Sequence, residues 1–288
     1  MSGLELQLRQ SPPLGLRIDL RGVIPSQLRL LSLGEIEQLP IQVDCLTQKL
    51  GEWFKVSGDA ARMELTIAGD CGCCDSIGDG LAGGVLRVEG DAGDQLGHRM
   101  KAGELAVSGN VGHYCASQMR GGMIKIAGNA SDYAGGAGSA ERQGMRGGLL
   151  IIHGNVGKFA GHRMRRGMMI LHGSVDSGLA MRMIAGSIIC CSEVRPEIGC
   201  GMRRGTIVLL HERLNQLNDL PGFTKLEESE LSFLPILLKN AIPYLPQPVR
   251  QCFPLEAEQL PKRGLRSLGD RALGGLGELI LLQHKSAS

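Results

Sequence analysis

Met145-Arg-Gly-Gly-Leu-Leu-Ile-Ile-His-Gly154 is followed, 19 residues on, by Met164-Arg-Arg-Gly-Met-Met-Ile-Leu-His-Gly173. The same phrase stands at Met100-Lys-Ala-Gly-Glu-Leu-Ala-Val-Ser-Gly109 and at Met119-Arg-Gly-Gly-Met-Ile-Lys-Ile-Ala-Gly128. It is looser at Met183-Ile-Ala-Gly186 and Met202-Arg-Arg-Gly205, and a leading copy starts at Leu81. Aligned on the glycine that opens each unit, copies begin at Gly69, Gly90, Gly109, Gly128, Gly154 and Gly173, and degenerate ones at Ser192 and His211. The spacings are 21, 19, 19, 26, 19, 19 and 19. A regular internal repeat dictates architecture before any chemistry is considered.

Apolar residues two apart, such as Leu105 and Val107 or Ile124 and Ile126, have the period of a strand with one buried face. Glycine recurs too often for a helix, which loses about 1 kcal/mol at each one. Nineteen residues are too few for a βαβ unit, so successive copies must lie parallel and stack. The expected fold is an all-β core, a right-handed parallel β-helix of single-stranded ~19-residue coils, with small α/β caps at both ends. A left-handed β-helix would need multiples of six. At about 4.8 Å per coil, roughly seven coils form a prism about 35 Å long. Met100, Met119, Met145, Met164, Met183 and Met202 then form one interior column, and Val107, Ile126, Ile152, Leu171, Cys190 and Leu209 another. Methionine and cysteine suit a core too narrow for rings, in keeping with five Phe, three Tyr and one Trp in 288 residues.

The repeat divides the chain into an N-terminal cap over 1–57, the β-helix over 58–211, and a C-terminal helical and extended cap and tail over 212–288. Leu4-Glu-Leu-Gln-Leu-Arg9 and Leu16-Arg-Ile-Asp-Leu20 read as strands and Ser32 to Leu39 as a helix. Leu231 to Leu238 is strongly apolar, and a Pro-rich tail from Pro246 precedes Gly274-Gly-Leu-Gly-Glu-Leu-Ile-Leu281. A formal net charge of +2 gives no overall field that argues for nucleic acid or membrane. Nothing reads as a signal peptide, and no eighteen apolar residues run together, so a cytoplasmic location is expected. Nine irregularly placed cysteines agree with reduced thiols.

Clustered thiols at Cys71, Cys73 and Cys74 are the type that binds zinc or iron–sulfur, but no second cysteine pair follows at a set distance, so no metal site is expected. His98 and His162 share one place in their coils but lie three coils, about 14 Å, apart, too far for a common metal. His153 and His172 fall on adjacent coils with no carboxylate fixed beside them, which reads as a surface turn. Asp70, Asp91, Asn110, Asn129 and Asn155 follow turn glycines, where local hydrogen bonding favours Asp and Asn. No catalytic constellation emerges. One column stands out: the residues after each methionine are Lys101, Arg120, Arg146, Arg165 and Arg203, with Ile184 the exception and Arg166 and Arg204 adjoining. Such charges repel unless they are solvated or meet anions, so the stripe is either a soluble outer column or a site for an acidic partner or polyanion.

Gly-[Asp/Asn]-Val-Gly turns alternating with Met-Arg-Arg-Gly strands resemble the Gly-X-X-Gly-X-X-X-Gly domain at the end of the glutamate synthase large subunit. The opening from Leu4 to Asp19, the insertion Gly138-Ser-Ala-Glu-Arg-Gln-Gly144 and the ending from Gly269 to Ile280 more closely resemble the C-type subunit of formylmethanofuran dehydrogenase and its relative in the bacterial formyltransferase/hydrolase complex. This resemblance implies a scaffold subunit without catalytic residues, acting in tetrahydromethanopterin- and methanofuran-dependent one-carbon metabolism. The implied partners are formyltransferase and amidohydrolase subunits, or molybdopterin and Fe–S subunits in the molybdenum or tungsten dehydrogenase branch. Metals and the methanofuran-type carrier belong on those partners, and the carrier's polyglutamyl arm suits the cationic stripe. A glutamate-synthase-like structural domain is the remaining alternative.

Overall fold

The computed structural model describes residues 3–10, 12–210, 220–254 and 259–282. The repeat start at His211 and the first residues of the C-terminal segment, from Glu212, lie outside them. Two strands, β1 (Leu4–Leu8) and β2 (Ile18–Asp19), precede a helix at Leu33–Glu37, close to the span expected from Ser32 to Leu39. That helix is set by a capping box: Ser32 accepts from the Glu35 amide, and Glu35 reaches back to the Ser32 amide. Next come β3 (Pro40–Val43), β4 (Leu46–Lys49), β5 (Phe54–Ser57), β6 (Glu64–Ala68) and the short β7 (Cys74–Asp75). The repeats supply β8 (Ala82–Glu89), β9 (Ala102–Val107), β10 (Met123–Ile126), β11 (Arg146–Ile152), β12 (Arg166–Leu171), β13 (Ser187–Cys190) and β14 (Arg204–Leu209). Three strands follow: β15 (Glu227–Glu230), β16 (Arg263–Gly269) and β17 (Leu276–Leu281).

Most of these strands join one 13-stranded sheet in the order β15-β16-β17-β14-β13-β12-β11-β10-β9-β8-β6-β1-β5. Pairing is parallel from β1 through the repeats to β17, and antiparallel only at the ends, at β5 with β1 and within β15-β16-β17. The fold is therefore an all-β core dominated by one parallel sheet. A smaller sheet, β4-β3-β2-β7, sits beside its first strands. The Pro-rich stretch after Pro246 contains the helix Gln247–Arg250 and β16, which pairs antiparallel with β17.

Register between repeats matches the sequence columns. Val107 pairs with Ile126, Ile126 with Ile152, Ile152 with Leu171, Leu171 with Cys190 and Cys190 with Leu209. All six are buried, and all six column methionines are fully buried. A second line of parallel bridges links Cys71, Ala92, Val111, Ala130, Val156, Val175 and Val194, each two residues after the start of its unit. A third line runs through the turns: the Ala116 amide donates to the Leu96 carbonyl (2.7 Å), Gly135 to Cys115 (2.8 Å) and Ala180 to Ala160 (2.7 Å). Stacking continues past the degenerate start at Ser192, where Val194 still bridges Val175 and β14 still pairs with β13.

Two expectations change. One-faced burial holds for β8 to β10, where Arg87 and Lys125 alternate with buried neighbours, but not for β11 to β14. There Ile151, Ile170, Ile189 and Val208 point away from the methionine column and are also buried, packed with Leu234, Leu238 and Ala241 of the helix Leu234–Ala241. Strands covered on both faces read as continuous apolar runs, as Leu149 to Ile152 does. The second change concerns the turn Asp and Asn residues, which bond between repeats rather than locally. Asp91 Oδ1 accepts from the Asn110 amide (2.6 Å), Asn110 Oδ1 from that of Asn129 (2.9 Å), Asn129 Oδ1 from that of Asn155 (2.7 Å) and Asn155 Oδ1 from that of Ser174 (3.0 Å). Only Asp70, which accepts from the Gly72 amide, follows the local pattern. Asn129→Ala removes two side-chain hydrogen bonds at an exposed position, the one accepted from the Asn155 amide and the one Nδ2 donates to Asn110 Oδ1 (3.0 Å), and is expected to cost about 1 kcal/mol in urea unfolding; an unchanged midpoint would show that these bonds add nothing.

Candidate functional site

The cationic stripe starts from backbone register. Each residue after a column methionine donates its amide to the equivalent methionine carbonyl one repeat earlier: Arg120 to Met100 (2.7 Å), Arg165 to Met145 (2.8 Å), Ile184 to Met164 (2.7 Å) and Arg203 to Met183 (2.8 Å). Arg146 donates likewise to Met119, and Lys101 to Leu81. Lys101, Arg120, Arg165, Arg166, Arg203 and Arg204 are exposed, and Arg146 is half-buried. Neighbouring charges at this spacing repel by about 1 kcal/mol in water. Among the described residues none of the seven forms an ion pair; Arg165 donates to Gln143 Oε1 (3.2 Å). Arg203 is set apart from Arg165 by Ile184. It borders an open cavity of about 560 Å³, shared with Arg142, Arg163 and Arg182.

The insertion between Gly128 and Gly154 supplies a polar constellation that the sequence did not reveal. Glu141 turns inward: Oε1 accepts from His98 Nε2 (2.8 Å), and Oε2 accepts from Ser117 Oγ (2.6 Å) and from the Gly138 amide (2.8 Å). His98 Nδ1 lies 3.2 Å from Asp79 Oδ1, so an imidazolium donates to both carboxylates. Asp79 also accepts two bonds from Arg99 (3.1 and 2.7 Å), and Arg21 Nε lies 3.4 Å away. This cluster is largely out of water: the His98 side chain is 15% exposed, and that of Asp79 is 3% exposed.

Burial alone would raise the Asp79 pKa, but hydrogen bonds and charge from His98 and Arg99 outweigh it and hold the carboxyl at about 2. Burial pulls His98 down, and its two carboxylate partners more than reverse this, leaving it above its ordinary value. Glu141 follows the Asp79 pattern: burial raises it, and the bonds from Ser117, Gly138 and His98 bring it below the usual carboxylate range.

The other sequence candidates separate from this cluster. His153 and His172 do meet, with ring centroids 4.7 Å apart; burial lowers both pKa values, and His172 Nε2 donates to the Tyr244 carbonyl (2.7 Å). His162 packs edge-on against Tyr133, within a stack that also includes Tyr114 and Phe159. Cys71 and Cys74 are buried, and the Cys73 and Cys74 sulfurs lie 3.8 Å apart. The Cys74 thiol and the Arg17 guanidinium help bring Cys73 down to about 7. Arg17 itself clamps Asp75 through two nitrogens and donates to the Gly72 carbonyl (3.1 Å). Among the described residues no group of three or more His, Cys, Asp or Glu is placed to hold a metal ion. Likewise no helix there is long and apolar enough to cross a membrane.

Arg99, Arg163 and Arg182 were missed in the sequence although they share a signal, each standing immediately before a column methionine. Glu141 and Arg142 carry none, because the insertion has no counterpart in the other repeats.

These features define a class: a repeat-built, parallel-sheet protein with charged columns in register along its length. Over 97% of its length the chain is similar, at 35% sequence identity and a TM-score of 0.83, to a chain matched over 100% of its own length in a solved structure. That structure is the X-ray crystal structure of the formyltransferase/hydrolase complex (FhcABCD) from Methylorubrum extorquens in complex with methylofuran. The chain belongs to the family of subunits of the formyltransferase/hydrolase complex. No protein-family model and no curated protein matches it.

Proposed function

We propose that this chain is the C-type subunit of a formyltransferase/hydrolase complex, a non-catalytic scaffold that holds formyltransferase and amidohydrolase subunits in one-carbon metabolism. The whole-length similarity to a chain of such a complex carries the reading. Three lines of repeat-to-repeat contact support a parallel β-helix as its framework, which we take as right-handed with caps over 1–57 and 212–288. Such a stack contacts only its neighbours along one axis and so presents long surfaces of fixed spacing, which suits a scaffold. In the cluster with the most perturbed carboxylate, both His98 nitrogens are tied to carboxylates, an arrangement that locks the insertion rather than freeing a base.

The stripe Lys101, Arg120, Arg146, Arg165, Arg166, Arg203 and Arg204 would face the acidic arm of a methanofuran-type carrier or an acidic surface of a sister subunit. Metals and the carrier's reactive end would reside on those subunits, in the cytoplasm. Mild affinity purification of the chain from its native host tests the assignment. Formyltransferase and amidohydrolase subunits are expected with it; molybdopterin and Fe–S subunits, or the chain alone, would overturn it.

A further inference from the structure

The segment Cys71-Gly-Cys-Cys74 joins the small sheet to the first repeats and carries three thiols. The Cys74 amide donates to the Cys71 carbonyl (2.8 Å), which closes a four-residue turn. On one side Cys71 bridges Ala92 of the next repeat; on the other the Cys73 carbonyl accepts from the Ile18 amide of β2 (3.0 Å). Arg17 Nη1 holds the middle of the turn through the Gly72 carbonyl (3.1 Å). The turn is thus fastened to both sheets, with the Cys73 and Cys74 sulfurs 3.8 Å apart.

The three thiols are unequal. Cys71 and Cys74 are buried, and Cys73 is partly open to solvent. The Cys74 thiol, a backbone hydrogen bond and the Arg17 guanidinium outweigh burial and Asp70 and bring Cys73 down to about 7, so much of it is thiolate at neutral pH. Hydrogen bonds with Cys71 and Cys73, together with burial, push Cys74 far up, so it waits as a thiol until a neighbouring sulfur becomes electrophilic. The ends of a four-residue turn lie within about 7 Å between Cα atoms, which overlaps the span of about 4.4–6.8 Å that disulfides bridge. Adjacent residues stand only about 3.8 Å apart and bridge with strain. The turn therefore fits a bridge between Cys71 and Cys74 better than one between Cys73 and Cys74.

We propose that this turn is a thiol site oxidised by hydroperoxides, in which Cys73 is the point of attack and a disulfide between Cys71 and Cys74 is the lasting product. The Cys73 thiolate attacks a peroxide oxygen: an S–O bond forms, the O–O bond breaks, and the departing oxygen takes a proton and leaves as water or an alcohol. Cys74 then attacks the sulfenic sulfur; an S–S bond forms, the S–O bond breaks, and the hydroxyl leaves with the Cys74 proton as water. Cys71 finally attacks the Cys74 sulfur and expels Cys73, a good leaving group because it is stable as a thiolate. The Cys71 proton replaces the one consumed in the first step. Two thiols are oxidised and one hydroperoxide is reduced, and a small dithiol reverses the change. Arg17 acts as a positioning residue, holding the turn and favouring the thiolate.

Thiol labelling and peroxide treatment of the full chain, each followed by peptide mapping in a mass spectrometer, test the site. Uncharged iodoacetamide at pH 7 is expected to label Cys73 at least about threefold faster than the exposed Cys45, Cys200 and Cys252, because the gain in thiolate exceeds the loss in nucleophilicity. Arg17→Gln is expected to slow that labelling and to move its pH profile upward. Limiting hydrogen peroxide is expected to cross-link Cys71 to Cys74, and dithiothreitol to restore both thiols. Cys73→Ser is expected to form the same bridge at least about tenfold more slowly, since no thiolate is left in the turn to start the reaction. Cys74→Ser is expected to stop at a Cys73 sulfenic acid that dimedone captures. Labelling of Cys73 no faster than that of the three exposed cysteines would overturn the proposal in the parent chain, without any variant. So would a bridge formed by Cys73→Ser at the parent rate, or peroxide treatment that joins Cys45, Cys200 or Cys252 and leaves the turn reduced.

Discussion

Gly128→Ala is expected to destabilise the chain by about 3 kcal/mol, the upper end of the usual overpacking range, and to lower the urea midpoint without a matching change in slope. A Cβ at this position would stand 2.5 Å from the Gly109 carbonyl oxygen, 2.6 Å from its carbon and 2.7 Å from Asn110 Oδ1. The obstacle is backbone, and it has nowhere to go: the Gly128 amide bonds to the Gly109 carbonyl (2.9 Å), and the Gly109 amide bonds to that of Gly90 (2.9 Å). Relief of one contact therefore opens a hydrogen-bonded stack of repeats. Gly34→Ala is the control, because nothing lies within 4 Å of its Cβ and its helical backbone has no left-handed φ. It is expected to be neutral or to stabilise by up to about 1 kcal/mol. Equal stability of Gly128→Ala and the parent chain would refute close stacking at the turn glycines.

Asp79→Ala is expected to cost about 3 kcal/mol near pH 6, because it strips the shared carboxylate from His98, Arg99 and Arg21 in one step. The figure sits at the low end for broken buried pairs because the Arg99 and Arg21 side chains are half in water, at 51% and 57% exposed. Its pH dependence follows from the two shifts. Asp79 is held at about 2 against an ordinary 3.8, so its contribution is present above about 3.8 and is lost as pH falls toward 2. His98 is raised above its ordinary 6.5, so its contribution is full below 6.5 and is lost as pH rises through the folded value. The deficit of Asp79→Ala should thus be largest between about pH 4 and 6.5 and shrink on both sides. An NMR titration should also show the His98 pKa lower in the variant. A deficit that is the same at pH 3 and pH 6 would show that Asp79 acts by packing rather than charge.

The repeat made the stacking direction and both interior columns legible, because methionines 19 residues apart, with one step of 26 across the insertion, leave one consistent register. The stripe of Lys101, Arg120, Arg146, Arg165 and Arg203 was legible for the same reason, as was the capped helix beginning at Ser32. Sequence misled where contact partners are remote. Ile151, Ile170, Ile189 and Val208 read as the outward face of a strand until the helix Leu234–Ala241 covers them. Asn110 and Asn129 read as local turn residues, yet each bonds to the repeat next door, 19 residues away.

What the sequence determined by itself is the set of columns, since periodicity places equivalent side chains at one spacing whatever their chemistry. Only the tertiary structure decided which charged groups meet off that period. Glu141 and Arg142 lie in an insertion with no phase relation to the repeat, and its docking, by bonds to His98, Ser117 and Arg163, sends one charge inward to Asp79's cluster and the other out to Arg182 and Arg203. Those three bonds span 43, 24 and 22 residues of chain. Their partners are chosen by hydrogen-bond geometry and desolvation in the folded state, which no sequence spacing encodes.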